Sequence, residues 1–215
     1  MLTDLDYINY YERVLKTQNY KIIQLYFKDN DCVNFQVVGH ATSLCRQSKA
    51  KKFIDWIKYY ASTPYANNLS IAVRKLQEVL KGHQLEYSDE VVEICLKTFI
   101  LYQTWKGVEQ ELAAIQLLTD KNYYCLFPKS EIDLYQNVDI ILVSRSRRKW
   151  VAGIQIKPSS FYEQETDRKR TSDFHKRYHL PTMNIRYDRY TREFYDADVE
   201  NVQLYKTQLL KCEKR

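Results

Sequence analysis

The stretch Val151–Phe161, VAGIQIKPSSF, decides how this chain is read. Its apolar run has the look of a buried strand, and it stops at Pro158, which cannot donate to a ladder. Side chains alternate across a strand, so Gln155 and Lys157 share one face while Ile154 and Ile156 take the other. A strand bound for a core that points an amide and an ammonium the same way carries a polar task.

Working outward, Val138–Val143 (VDIILV) is a second β run, SRSRRK a basic turn, and WVAGIQIK its returning partner, so the pair reads as a hairpin. Asp139 opens the first strand, and pairing in register would bring it beside the Gln155–Lys157 end. A carboxylate and an amide oxygen suit a hard divalent ion. A lysine can orient or help deprotonate a water, or neutralise charge on a phosphorane-like transition state. Metal-assisted phosphodiester hydrolysis asks for all three. A second carboxylate is expected from TWKGVEQELAAIQLL, Thr104–Leu118, where Trp105, Val108, Leu112 and Ile115 form a core-facing stripe. Glu111 and Glu109 lie at its two edges, and Glu111 is preferred. Taken singly, Asp139 would cap a turn and Lys157 would be a solvated strand end; the chemistry comes from their combination.

The rest of the chain supplies the order of elements. Residues 3–28 read as helix broken at Gln18–Asn19, and Ala41–Ala61 as one helix with a basic start at Arg46, Lys49, Lys51 and Lys52. Ser70–Leu80 is helical, with a left-handed cap expected at Gly82. A helix starts at Ser88, with acids in its first turn. Beyond Thr104–Leu118 come a short strand YYCLF, a polar connection from Pro128 to Asn137, the hairpin, a polar helical stretch Tyr162–Tyr178, a strand Pro181–Tyr187 and a last helix Val199–Lys211. The expectation is an α/β fold: a helical N-terminal subdomain over residues 1–95, then a core of a mixed sheet flanked by helices over 96–215. The boundary is soft.

The chain has 215 residues and a formal net charge of +6. Between Ile141 and Tyr190 twelve Lys and Arg face five acids, so positive charge gathers around the proposed site, as a phosphate backbone requires. The five cysteines are scattered without zinc or redox spacing. His175 and His179 stand one helical turn apart without an acidic or cysteine partner at ligand spacing, and read as solvated or phosphate-facing. No leading apolar stretch follows Met1 and no run is long enough to span a bilayer, so a reducing, cytoplasmic chain without a membrane partner is expected. Most of the 19 tyrosines are expected in the core or an interface rather than stacked on bases.

Asp139, then fifteen intervening residues, then Gln155-Ile156-Lys157 resembles the PD-(D/E)XK nuclease signature, and the order helix, strand, strand, strand, helix, strand is similar to that superfamily's core. The phrases TWKGVEQE and GIQIKPSSF resemble type II restriction endonucleases, the MjaI-like group in particular. The resemblance covers about residues 100–190. It implies a Mg²⁺-dependent, homodimeric endonuclease that cuts double-stranded DNA at a short site. Asp139, Gln155 and Glu111 would hold the metal and Lys157 would be the catalytic lysine. Arg145, Arg147, Arg148, Lys149, Ser159, Ser160, Arg168, Lys169, Arg170, Lys176 and Arg177 would meet the DNA. Two positions depart from the pattern. Gln155 stands where an acid is usual, which weakens cation binding, and Val138 stands where proline is usual. The rival readings are a repair or junction-resolving nuclease with the same core and a non-catalytic basic nucleic-acid-binding protein.

Overall fold

A computed structural model describes residues 3–27, 35–121, 123–128, 138–143, 149–158, 173–188, 191 and 193–213. Arg145, Arg147, Arg148, Ser159, Ser160, Arg168, Lys169 and Arg170 lie outside the described residues, as does most of the expected basic turn and polar connection. The chain divides into two compact units, Met1–Glu109 and Gln110–Arg215.

The first unit is helical: α1 (Asp4–Lys16), α2 (Gln18–Ile23), α3 (Phe35–Val38), α4 (Ala41–Ser48), α5 (Phe53–Ala61), α6 (Leu69–Gly82) and α7 (Asp89–Lys97). Thr17 makes the break between α1 and α2. Its hydroxyl donates to the Val14 carbonyl at 2.7 Å and accepts from the Tyr20 N–H at 3.2 Å, ending one helix and capping the next. The span Ala41–Ala61 is two helices, not one. Ser48 donates to the Cys45 carbonyl and accepts from the Ala50 N–H, and Lys49 turns left-handed at φ 52°. A serine that bonds its local backbone competes with the helix, and the like charges of Lys49, Lys51 and Lys52 add no support for continuing it. Asp4 then starts α5 by accepting from the Ile54 N–H at 2.7 Å. The left-handed cap of α6 is also displaced. Gly82 stays helical, and Gln84 takes the positive φ of 61°, while Leu85 closes back on the Leu80 carbonyl at 2.9 Å. Ser88 caps α7 as expected, accepting from the Val91 N–H. A π-helical turn at Thr98–Gln103 carries α7 into α8 (Thr104–Asp120), and the division between the units falls inside α8.

Aromatic rings fill the core of this unit. Trp56, Phe53, Tyr11, Tyr20, Tyr60, Tyr102 and Trp105 are all buried. Several buried polar tips find partners: Trp56 Nε1 donates to the Leu101 carbonyl, the Tyr60 hydroxyl to the Val38 carbonyl, and the Tyr102 hydroxyl to Glu12. Gln103 Nε2 donates to the Tyr20 hydroxyl. Burial pushes the Tyr60 phenol up to about 12. These tyrosines are core residues. Burial alone would raise the Glu12 carboxyl, but bonds from Lys106 and Tyr102 outweigh it and hold it below the ordinary value.

In the second unit β1 (Tyr124–Leu126), β2 (Ile140–Val143), β3 (Trp150–Pro158), β4 (Thr182–Asp188) and β5 (Glu193–Phe194) form one sheet in sequence order. The hairpin β2–β3 is antiparallel, with Ile140 opposite Ile154 and Ile141 opposite Gly153. β3 and β4 run parallel, with residues 173–178 as helix α9 in the connection. The sheet is therefore mixed and the unit α/β. Alternation sorts the two faces. Ile140, Leu142, Ala152, Ile154 and Ile185 pack with Ala114 and Leu118 of α8 and with Val199 and Val202 of α10 (Asp196–Glu213). Val138, Ile141, Val143 and Phe174 form the cluster of the other face.

β5 and the early start of α10 at Asp196 were not legible as elements. Asp198 explains the start: its carboxylate accepts from the Arg186 backbone N–H, Nε and a terminal guanidinium nitrogen at 2.9, 2.8 and 3.1 Å. Those bonds fasten the first turn of α10 to β4, where an acid also suits the helix dipole. Tyr205 donates to the Val151 carbonyl at 3.2 Å and fixes the helix further along.

Gly153 is the tight point of the sheet. A Cβ there would lie 3.0 Å from a Val138 methyl and 3.1 Å from the Phe174 ring, both fully buried. Gly153→Ala should therefore destabilise the chain by about 1–3 kcal/mol, as overpacking does. Chemical denaturation checks this, and a variant as stable as wild type would show that Val138 and Phe174 can yield.

Candidate active site

Asp139 sits in the bend just before β2. Its backbone N–H donates to the Ile154 carbonyl at 2.9 Å, and its Oδ2 accepts from the Ile156 N–H at 2.6 Å. The acid is thus fastened to β3 between Gln155 and Lys157.

Gln155 and Lys157 continue the alternation of Gly153, so they lie on the α9 side of the sheet. Gln155 is only 1% exposed, and its Nε2 has no hydrogen-bond partner. A buried amide nitrogen without a partner costs about 1–3 kcal/mol. Lys157 is half-buried at the strand's polar end, paired in register with Arg186 of β4. Strand register therefore assembles an acid, an amide and an ammonium at one end of the β2–β3 pair.

Glu111 is 8% exposed, whereas Glu109 is exposed. Glu111 shares the α8 face of Ala114 and Leu118, which packs toward Ile140 and Ile154. Those isoleucines are the chain neighbours of Asp139 and Gln155. α8 covers the face opposite Gln155 and Lys157, so Glu111 does not share their strand face.

Among the described residues no group of three or more His, Cys, Asp and Glu side chains converges on a metal position. The donor set that does converge is mixed, a carboxylate with an amide. Its chemistry fits a hard divalent cation, since both groups offer oxygen, and the Gln155 Nε2 end of the amide has no partner among the described residues. An amide's oxygen and nitrogen exchange places by a half-turn of the terminal torsion, so either atom can face the acid.

Exposed positive groups lie on α9 and just before β3. Phe174 anchors α9 against the sheet, while Lys176 and Arg177 are exposed on it, and Lys149 is exposed just before β3. His175 and His179 do not share a helical face: His179 is left-handed at φ 55°, where α9 has ended, and His175 Nδ1 lies 3.2 Å from the Leu180 carbonyl. Among the described residues, no helix is long and apolar enough to cross a membrane.

Reading the sequence missed the Arg186–Asp198 bridge. Its one signal was the acidic start DAD of the last helix, which marks a helix N-terminus but names no partner. Burial alone would raise the Asp198 carboxyl, and the Arg186 guanidinium and backbone N–H outweigh that and hold it below the usual range.

A mixed α/β sheet that carries an acid, an amide and a lysine at the end of one hairpin, with Lys176 and Arg177 exposed on the helix that covers the same face, defines a candidate phosphodiesterase. The comparison of sequences is more specific. The pattern of the MjaI restriction endonuclease family matches residues 20–202, and the chain belongs to that family. Membership implies an endodeoxyribonuclease that binds DNA. No curated protein matches the chain, and no solved structure does.

Proposed function

We propose that this chain is a type II restriction endonuclease with a PD-(D/E)XK-like core, hydrolysing both strands of duplex DNA at a short site with Mg²⁺. The observation that carries the reading is the tie of Asp139 to the β3 backbone between Gln155 and Lys157. Asp139 and Gln155 would hold the cation, with Glu111 as a further carboxylate from α8. Bound there, the cation would supply Lewis-acid charge stabilisation at the scissile phosphate. Attack by a water on phosphorus breaks one P–O bond and leaves a phosphate end and a hydroxyl end. Lys157, held on the strand beside the acid, polarises that water or balances the negative charge that accumulates in the transition state. Lys149, Lys176 and Arg177, with the basic residues of 144–148 and 168–170 and the serines at 159 and 160, would track the DNA backbone. A homodimer in the cytoplasm would match the two-fold symmetry of a palindromic site.

Incubation with phage DNA tests this directly. Discrete bands in Mg²⁺ and intact DNA in EDTA are expected. Cutting restricted to branched DNA would instead identify a structure-specific nuclease. Lys157→Ala should lower the cleavage rate by about a hundredfold to a thousandfold, the scale of removing one preorganised charge, while leaving metal-free DNA binding close to wild type in a gel-shift assay. Unchanged cleavage would remove Lys157 from the site.

A further inference from the structure

Two buried polar atoms of the second unit have no hydrogen-bond partner among the described residues. Gln155 Nε2 is one, and the buried hydroxyl of Thr182 on β4 is the other. The parallel register puts Thr182 opposite Gly153 and Asn184 opposite Gln155, so all four positions share one sheet face. Thr182 is thus the diagonal neighbour of Gln155, roughly 7–8 Å away between backbones and within reach of a glutamine side chain. Gly153 lies between them and contributes no side chain. Val138 and Phe174 cover that spot closely enough that even a Cβ would crowd them. The groups are complementary, because the amide NH₂ donates and a hydroxyl oxygen accepts. Asn184, directly across from Gln155, is exposed and can be served by water. Thr182 has no such supply.

We propose that Thr182 is a positioning residue for Gln155: when a cation takes the amide oxygen beside Asp139, the Thr182 hydroxyl, unpaired in the metal-free chain, accepts from Gln155 Nε2 and holds that orientation. The inference rests on the metal-site reading above and adds to it the residue that selects the amide's orientation. With an acid at this position the two oxygens would be equivalent and no selection would be needed. With glutamine, the wrong half-turn presents a donor to a cation. A partner that takes the nitrogen end removes that state.

The test is a Mn²⁺ titration of the metal-free full-length chain, followed by electron paramagnetic resonance, with thermal denaturation run alongside. Thr182→Val has nearly the same shape and deletes only the hydroxyl, so metal-free stability should hold or rise, because an unpaired buried group is lost. Mn²⁺ affinity should nevertheless fall by about tenfold to a hundredfold, as when an outer partner of a metal ligand is removed. Thr182→Ser, which restores the hydroxyl, should bind Mn²⁺ like wild type. A purely structural role would move the melting temperature and not the affinity. The proposal is overturned if Thr182→Val binds Mn²⁺ like wild type while Asp139→Asn and Gln155→Ala bind it weakly. If those two variants also bind normally, the metal-site reading itself fails and the role of Thr182 goes with it.

Discussion

Asp139→Asn is expected to abolish DNA cleavage while leaving the fold in place. Asparagine keeps an oxygen that can accept from the Ile156 N–H, the bond that Asp139 makes at 2.6 Å. The hairpin end should therefore stay closed, and the melting temperature should change little. What disappears is the full negative charge. Because Gln155 already replaces one acid with an amide, this site has little charge to spare, and Asp139 carries the strand pair's only carboxylate. A loss of about a thousandfold in single-turnover cleavage is expected, at the upper end of single-group electrostatic effects. Asp139→Ala separates the two roles. It loses the same activity and also leaves the Ile156 N–H without its acceptor, at a cost of about 1–3 kcal/mol. Cleavage by Asp139→Asn within tenfold of wild type would reduce Asp139 to a structural clamp.

The second large effect concerns stability. Asp198 accepts three bonds from Arg186, including one from its backbone N–H, and so fastens α10 to β4. Asp198→Ala leaves that N–H unpaired and breaks a half-exposed ion pair. The first loss costs about 1–3 kcal/mol and the second up to about 1 kcal/mol. A destabilisation of about 1–4 kcal/mol in urea unfolding is the expected sum, and Asp198→Asn should lose less because it keeps an acceptor. The pH dependence has a definite sign. The folded-state pKa of Asp198 is depressed, so its contribution is complete above the unfolded value of about 3.9 and is lost as pH falls through the lower folded value. The gap between wild type and Asp198→Ala should therefore be widest near neutrality and narrow in acid. A gap that stays constant down to low pH would mean that the ion pair contributes nothing.

Local patterns explain which parts of this molecule could be read in advance. Strand alternation places Gln155 and Lys157 on one face from spacing alone, and the turn residues between Val143 and Trp150 make a hairpin the economical connection. Ser88 with its acidic followers announces a helix start, and the structure shows the cap. The single helix expected over Ala41–Ala61 failed because an apolar rhythm continues across a site where Ser48 prefers its own backbone. The cap expected at Gly82 moved to Gln84 because glycine permits a left-handed turn without demanding one.

By itself, the order of residues determined the helical first part and the strand hairpin of the second, the mixed α/β character, the sharing of a face by Gln155 and Lys157, and the resemblance that membership of the family bears out. Those depend on periods of two and of 3.6, which are properties of the chain alone. Only tertiary structure decided that Asp139 closes onto β3, that Gln155 Nε2 is sealed in without a partner among the described residues, that Thr182 lies diagonally beside it, and that Arg186 meets Asp198. Each is a meeting between separate strands or helices, set by register and packing, and such distances leave no periodic trace in a sequence.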